Sequence, residues 1–177
     1  MIEGKLVSIG AVVPEDYQAL YRWANDVATA RVNGAWRPVD WTAHLAWCEG
    51  LGRDQSKIYF AIRRVGQQQI IGWVQITNLN MAARCAELGI RIGDTAERGQ
   101  GLGSDALRLA IDFCWTHLNL RRLALVALHT NGPAIRLYQR LGFHQEGRLR
   151  QASFVAGEFV DIVVLGLLRA EDRGSQK

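Results

Sequence analysis

The sequence predicts an α/β domain with a mixed, mostly antiparallel sheet of about six to seven strands flanked by helices. Three observations carry that prediction. Runs of β character at 58–65, 70–77 and 86–92 follow one another with no helical stretch between them, which implies antiparallel neighbours. A glycine-dense turn and a long helical pattern come next, and then a nearly continuous apolar run at Arg122–Leu128, as expected of a central strand covered on both faces. The chain closes on two further β-like runs, 143–154 and 159–168, that face each other across Ala156-Gly157.

Taken in order, 6–13 is a short strand ended by Pro14, which has no N–H to continue a ladder. From Glu15 to Ala24 the pattern is helical, with acidic residues in the first turn and Tyr17, Leu20, Tyr21 and Ala24 on one face. Between 25 and 38 periodicity lapses, and Asn33-Gly34 and Arg37-Pro38 read as turns. Asp40 is placed to cap a helix whose apolar stripe is Trp41, Leu45 and Cys48, with Trp47 and Leu51 beside it. The 58–65 and 70–77 strands form a hairpin about 66–69, and Gly72 marks a bulge or a close backbone approach. After a loop at 78–84, Ala86, Leu88, Ile90 and Ile92 alternate with Glu87, Gly89 and Arg91. Leu102, Ala106, Leu109 and Phe113 then recur at helical spacing as far as His117. Thr130 or Asn131 caps the last helix, with Ala134, Leu137, Tyr138 and Leu141 inward and Gly142 at its left-handed end.

With 177 residues, 49% apolar and 21% charged, the chain suits a single domain over 1–170 and a polar, frayed tail at 171–177. Neither a signal-peptide pattern nor a run of membrane-spanning length is present in the sequence, so a cytoplasmic protein is expected. The net charge of +4 comes from scattered arginines instead of a basic tract, which argues against nucleic acid as a partner. Cys48, Cys85 and Cys114 have no paired spacing, and His44, His117, His129 and His144 have no metal-ligand spacing, so neither a disulfide framework nor a metal is expected.

The stretch from Arg98 to Ser104 is where a strand becomes a helix. First-turn amides of a helix lack intrahelical partners and sit at the positive end of its dipole, and glycine removes the Cβ that would hold an anion away. The turn therefore reads as a phosphate cradle. A Rossmann site would also need an acidic residue about 20 positions later, but 118–145 contains no Asp or Glu. A Walker loop would need a lysine before Ser104, where Gly103 stands.

Arg98-x-x-Gly101-x-Gly103 resembles the acyl-CoA pyrophosphate loop of the GNAT superfamily of N-acetyltransferases, and Asn131-x-x-Ala134-x-x-x-Tyr138-x-x-x-Gly142-Phe143 resembles its second signature. Glu146-Gly147-Arg148-Leu149-Arg150 followed by Gly157-x-Phe159-x-Asp161 is similar to the RimJ/RimL-like branch, which holds ribosomal-protein alanine, spermidine and amino-sugar acetyltransferases. The resemblance runs from about Leu6 to Leu168.

It implies a GNAT fold with a splay between two central parallel strands and acetyl-CoA as donor. The amides of Arg98, Gly99, Gln100, Gly101, Leu102, Gly103 and Ser104 would cradle the diphosphate. Leu88, Gly89, Ile90, Arg91 and Ile92 would pair with the pantetheine arm, and Asn131, Ala134 and Tyr138 would line it. Tyr138 is the expected general acid, and Glu87 the first candidate for base with His129 second. Asn131 would either bind the donor arm or simply cap its helix.

The acceptor expected from the resemblance is a primary amine of a small molecule, such as an amino sugar or polyamine, met by the aromatic N-terminal third with His44 and Trp47 beside the pocket. Against a polyamine, 17–54 holds no dense acidic cluster. A protein N-terminus is the alternative acceptor, a non-catalytic acyl-CoA sensor is the reading of another class, and a homodimer is the oligomer that the resemblance brings with it.

Overall fold

The structure, a computed structural model, describes residues 1–30 and 36–172. Its sheet has eight strands: β1 (Ile2–Glu3), β2 (Val7–Gly10), β3 (Ile58–Arg64), β4 (Ile70–Asn80), β5 (Cys85–Ile92), β6 (Arg122–Leu128), β7 (His144–Val155) and β8 (Glu158–Leu168), in the order β1-β2-β3-β4-β5-β6-β8-β7. The strand beyond the expected number is β1, too short to leave a periodic signal. Every neighbouring pair is antiparallel except β5 and β6, which are parallel. The helices are α1 (Tyr17–Ala24), α2 (Val27–Ala30), α3 (Trp41–Gly50), α4 (Leu102–Thr116) and α5 (Gly132–Arg140). The expected Asn33-Gly34 turn lies outside the described residues.

Helices α4 and α5 cover one face. Leu107, Ile111, Cys114 and Trp115 of α4 and Tyr138 of α5 join Ala86, Leu88, Leu123 and Leu125 of the sheet in one buried cluster. Each such aliphatic side chain contributes about 1.5–3 kcal/mol on leaving water. Helices α1 and α3 pack on the other face, where Leu20, Trp23 and Cys48 meet Ala61 and Ile70, with Trp73 against them. A buried ion pair pins that side: one guanidinium nitrogen of Arg63 donates to both Asp16 oxygens at 2.6 and 2.8 Å, and Asp16 also accepts from the Val13 amide at 2.9 Å.

Three expectations are corrected. The buried positions of α3 are His44 and Cys48, while Trp41 and Trp47 are 37% and 42% exposed. The helix is apolar nearly all round, so period alone could not choose its inner face. Strand β6 is not covered evenly on both faces: Leu123 and Leu125 are buried on one, whereas on the other Val126 is 49% exposed, because the α1–α3 cluster is built on β3 and β4 and leaves this side open. Finally, residue 171 does not begin a frayed tail. Arg169–Glu171 is a 3-10 turn, and Asp172, 1% exposed, accepts from Arg108 at 2.7 Å and from the Trp115 indole at 2.8 Å, which ties it to α4. The rest of that tail, 173–177, lies outside the described residues. Two other features match the sequence: Asp40 accepts from Ala43 at 2.9 Å as the cap of α3, and a Cβ at Gly72 would collide with the Arg91 carbonyl, the close approach expected there.

Candidate active site

The β5–α4 connection begins as a 3-10 turn over Thr95–Glu97 and passes through Gly99 and Gly101 with φ of 78° and 81°, left-handed values that a side chain would disfavour. The Arg98 amide is paired with the Thr95 carbonyl at 3.1 Å, and the amides of Ser104 and Asp105 return to the Gly101 carbonyl at 3.0 and 3.1 Å. Between these ends, the amides of Gly99, Gln100, Gly101, Leu102 and Gly103 make no hydrogen bond among the described residues. The run of unpaired amides is thus shorter at both ends than 98–104. The Arg98 guanidinium turns back to the carbonyls of Ile92 at 3.2 Å and Gly93 at 3.0 Å, holding the turn to the end of β5.

An outer brace comes from β3. The Arg64 guanidinium reaches Glu97 and Gln100, each at 2.6 Å, and Gln100 donates to the Ala96 carbonyl at 2.7 Å. Sequence reasoning missed this brace, since nothing local at Arg64 marks a partner more than thirty residues away.

The two parallel strands touch only at one end. Pairing covers Cys85 with Arg122, Ala86 with Leu123 and Glu87 with Ala124, and then ceases, although β5 continues to Ile92 and β6 to Leu128. The fork that results opens towards the glycine turn. A cleft of about 400 Å³ lies there, bordered by Ile90, Arg91 and Ile92 of β5, by the turn from Glu97 to Ser104, and by Asn131, Ala134, Leu137 and Tyr138 on the α5 side. A Cβ at Gly103 would stand 3.7 Å from Ile90 and Ile92 and 3.8 Å from Leu137, clear of collision yet inside the cleft.

Tyr138 and Asn131 also border a second, smaller cavity of about 110 Å³ against Val126, Ala127, Leu128, Ser153 and Ile162. Tyr138 is 6% exposed, and burial pushes its phenol up to about 12. Its ring meets Phe143 edge-on at 6.4 Å. Asn131 caps α5, its side-chain oxygen accepting from the Ala134 amide at 3.3 Å while it faces the cleft. Both halves of the open reading of Asn131 are therefore compatible with its position.

The structure brings together Ile90, Arg91, Ile92, Arg98, Gly99, Gly101, Gly103, Ser104, Asn131, Ala134 and Tyr138. It does not bring Glu87 or His129 to the cleft wall. Glu87 alternates with the buried Ala86 and Leu88, so it faces the opposite side of the sheet from Tyr138, at the last paired rung before the fork, where its carboxylate accepts from the Asn78 amide. His129 is exposed just past β6. Leu88 and Leu102 are core residues at 5% and 1% exposure, and Gly89 and Gln100 also stand off the cleft wall. Glu97, Pro133, Leu137 and Arg140 border it without having been singled out. Leu137 was legible only as part of a buried stripe.

On the α1–α3 side, His44 is buried in the packing of α1 against α3. Its ring nitrogen lies 3.0 Å from the Tyr17 carbonyl and 3.4 Å from Cys48 Sγ, and the rings of Tyr21, Trp41 and Trp47 surround it at 5.3 to 5.7 Å. Burial and the neighbouring Glu49 carboxylate push the Cys48 thiol up to about 11, so it is inert at neutral pH. Among the described residues no group of His, Cys, Asp and Glu is arranged to hold a metal, and no helix is long and apolar enough to cross a membrane.

Known proteins resemble this chain in sequence and in fold. The spermidine N(1)-acetyltransferase of Escherichia coli K12 is 36% identical over 106 residues, 60% of this chain and 55% of the relative. A putative ribosomal N-acetyltransferase of Bacillus subtilis, YdaF, is 32% identical over 107 residues, 60% of this chain and 58% of that one. These matches span a little over half the length of each relative. In three dimensions, the Vibrio cholerae spermidine N-acetyltransferase in complex with CoA and spermine superposes with a TM-score of 0.87 at 22% identity, over 93% of this chain and 96% of that one. Residues 8–144 match the acetyltransferase (GNAT) domain model. That is most of the chain, which belongs to the GNAT acetyltransferase family.

Proposed function

We propose that the chain transfers an acetyl group from acetyl-CoA to a primary amine of a small molecule. The observation that carries this reading is the meeting, in one cleft at the open fork, of Gly99, Gly101 and Gly103, whose amides are unpaired among the described residues, with Asn131 and Tyr138. The amides suit a diphosphate, since they add directed N–H groups to the positive end of the α4 dipole. The space a Gly103 Cβ would fill leaves room for the chain behind it. Acetyl-CoA supplies an acetyl thioester.

The protein's own contribution is placement and proton handling. An alkylamine with a pKa near 10.4 is only about one part in a thousand neutral at pH 7. Glu87, on the far face at the fork, takes the amine's proton through water. Tyr138 stays protonated, and full transfer from a phenol at about 12 to a thiolate of ordinary pKa near 8.5 is roughly 5 kcal/mol uphill. Its role is therefore a hydrogen bond to the departing sulfur, with the proton arriving finally from solvent. Likeness to the spermidine and ribosomal relatives supports an amine acceptor in general. A protein N-terminus is the alternative, favoured by the YdaF likeness.

The test is thermal. Acetyl-CoA at about 100 times its Kd stabilises a binding fold by about 2.7 kcal/mol, which for a chain of this size raises Tm by about 5–10 °C. Release of CoA with an amine present then reports turnover. No shift in Tm overturns the donor site, and a shift without release across a broad amine panel leaves a sensor.

A further inference from the structure

We propose that the acceptor amine also carries an anionic group, a carboxylate or a phosphate, and that Arg91 receives it. This deepens the acetyltransferase reading above and rests on it. Strand alternation places Glu87, Gly89 and Arg91 on the face of β5 turned away from Tyr138 and towards α1 and α3. There the Arg91 guanidinium lies 4.9 Å over the ring of Trp73, which stacks on Trp23 at 6.1 Å.

Arg91 is half-buried and, among the described residues, makes no ion pair, whereas Arg22, Arg63, Arg64, Arg108, Arg122 and Arg148 each face a carboxylate. Its charged neighbours supply no ion pair in contact. Arg98 is a second cation, and Asp26, which acts on Arg91 across space, caps the Ala28 amide at 3.1 Å. A partly desolvated cation with no anion in contact is costly, and an anion laid against it lowers that cost.

The geometry also sets the spacing. Glu87 and Arg91 are four residues apart on one strand, about 13 Å. Between them Gly89 has no side chain, and the Gln75 amide lies across it, within 2.9 Å of where a Cβ would be. An acceptor with its amine at the Glu87 end and its anion at the Arg91 end would lie along β5 over Gln75. A polycation would meet Arg91 as a repulsive element.

The test uses the full chain with saturating acetyl-CoA and reads CoA release for matched acceptors: glucosamine 6-phosphate against glucosamine, β-alanine against β-alaninamide, and spermidine. In at least one pair the anionic member is expected to have a kcat/KM about tenfold to a hundredfold higher, and which pair responds separates phosphate from carboxylate. Arg91→Gln should bring that ratio to about one, while Arg91→Lys, a point charge without the planar fork, should keep part of it. Melting curves with acetyl-CoA check that both variants fold. Preference for the uncharged partners or for spermidine overturns the proposal, as does a ratio unchanged in Arg91→Gln. A raised KM for acetyl-CoA with the ratio intact assigns Arg91 to the donor and overturns it too. Silence across the panel while acetyl-CoA still raises Tm sinks the acceptor class alone. No rise in Tm sinks the reading beneath it.

Discussion

On the α4–α5 side the sheet meets a continuous aliphatic layer, from Leu107 through Leu125 to Leu141, whereas on the α1–α3 side it meets tryptophans, a buried histidine and the Asp16–Arg63 pair. The first side packs by volume and presents the glycine turn and Tyr138 from rigid helices. The second is joined by directed contacts, and it leaves Trp41, Trp47 and Val126 partly in water. The difference teaches where specificity lies. On the proposed reading, the donor lies on the side that packs by volume, and the acceptor meets the side drawn by polar and aromatic side chains.

If that division is right, the two sides respond differently to mutation. The largest effect is expected from Asp16→Ala, which strands the Arg63 guanidinium in the interior. It should cost about 3–5 kcal/mol in urea unfolding and leave the acetyl-CoA affinity of the folded fraction unchanged. A loss of affinity in step with stability would merge the two sides. Next is Tyr138→Phe, which removes one hydroxyl. A fall in kcat of about a hundredfold, roughly 2.7 kcal/mol, is expected, with Tm barely moved.

The same residue sets a pH test. A phenol raised to about 12 contributes stability that is full below its unfolded value near 10 and is lost as pH climbs through 12. The rate should therefore show no alkaline limb from Tyr138 below about pH 10, and a Tyr138-dependent limb near pH 8 would refute its environment. Gly103→Val fills part of the cleft and should weaken acetyl-CoA about tenfold by calorimetry, while acceptor KM stays put. The smallest effect is that of Asn131→Ala, about 1 kcal/mol of stability for a lost cap. A fall in acetyl-CoA affinity beyond that would give Asn131 its second role.

Much of the fold was legible because β5 and α4 write their periods plainly and their glycines fall at the junction. The parallel rung at Glu87 and the fork beyond it were implied by resemblance and not by spacing. The α3 face was misread because Trp41, Leu45 and Trp47 outweigh His44 on any apolar scale, although only His44 and Cys48 point inward. Contacts between distant residues left no local trace: Arg63 with Asp16, Arg64 with Glu97, and Trp115 with Asp172 are each separated by tens of residues. Of the candidate site, the glycine turn and Tyr138 were readable as a motif. The placement of Glu87 on the opposite face followed from alternation, but its distance from the cleft wall did not.

The three-rung pairing of β5 and β6 has a mechanical consequence. It makes the sheet two plates, β1–β5 and β6–β8, riveted along a short seam, with main-chain groups beyond Glu87 left to find partners elsewhere. An extended ligand in the gap would complete the ladder and stiffen the joint, so occupancy and rigidity rise together. Amide exchange along Leu88–Ile92 and Leu125–Leu128 should then slow on binding far more than exchange in β3 or β8, and the molecule reports its own loading through its backbone.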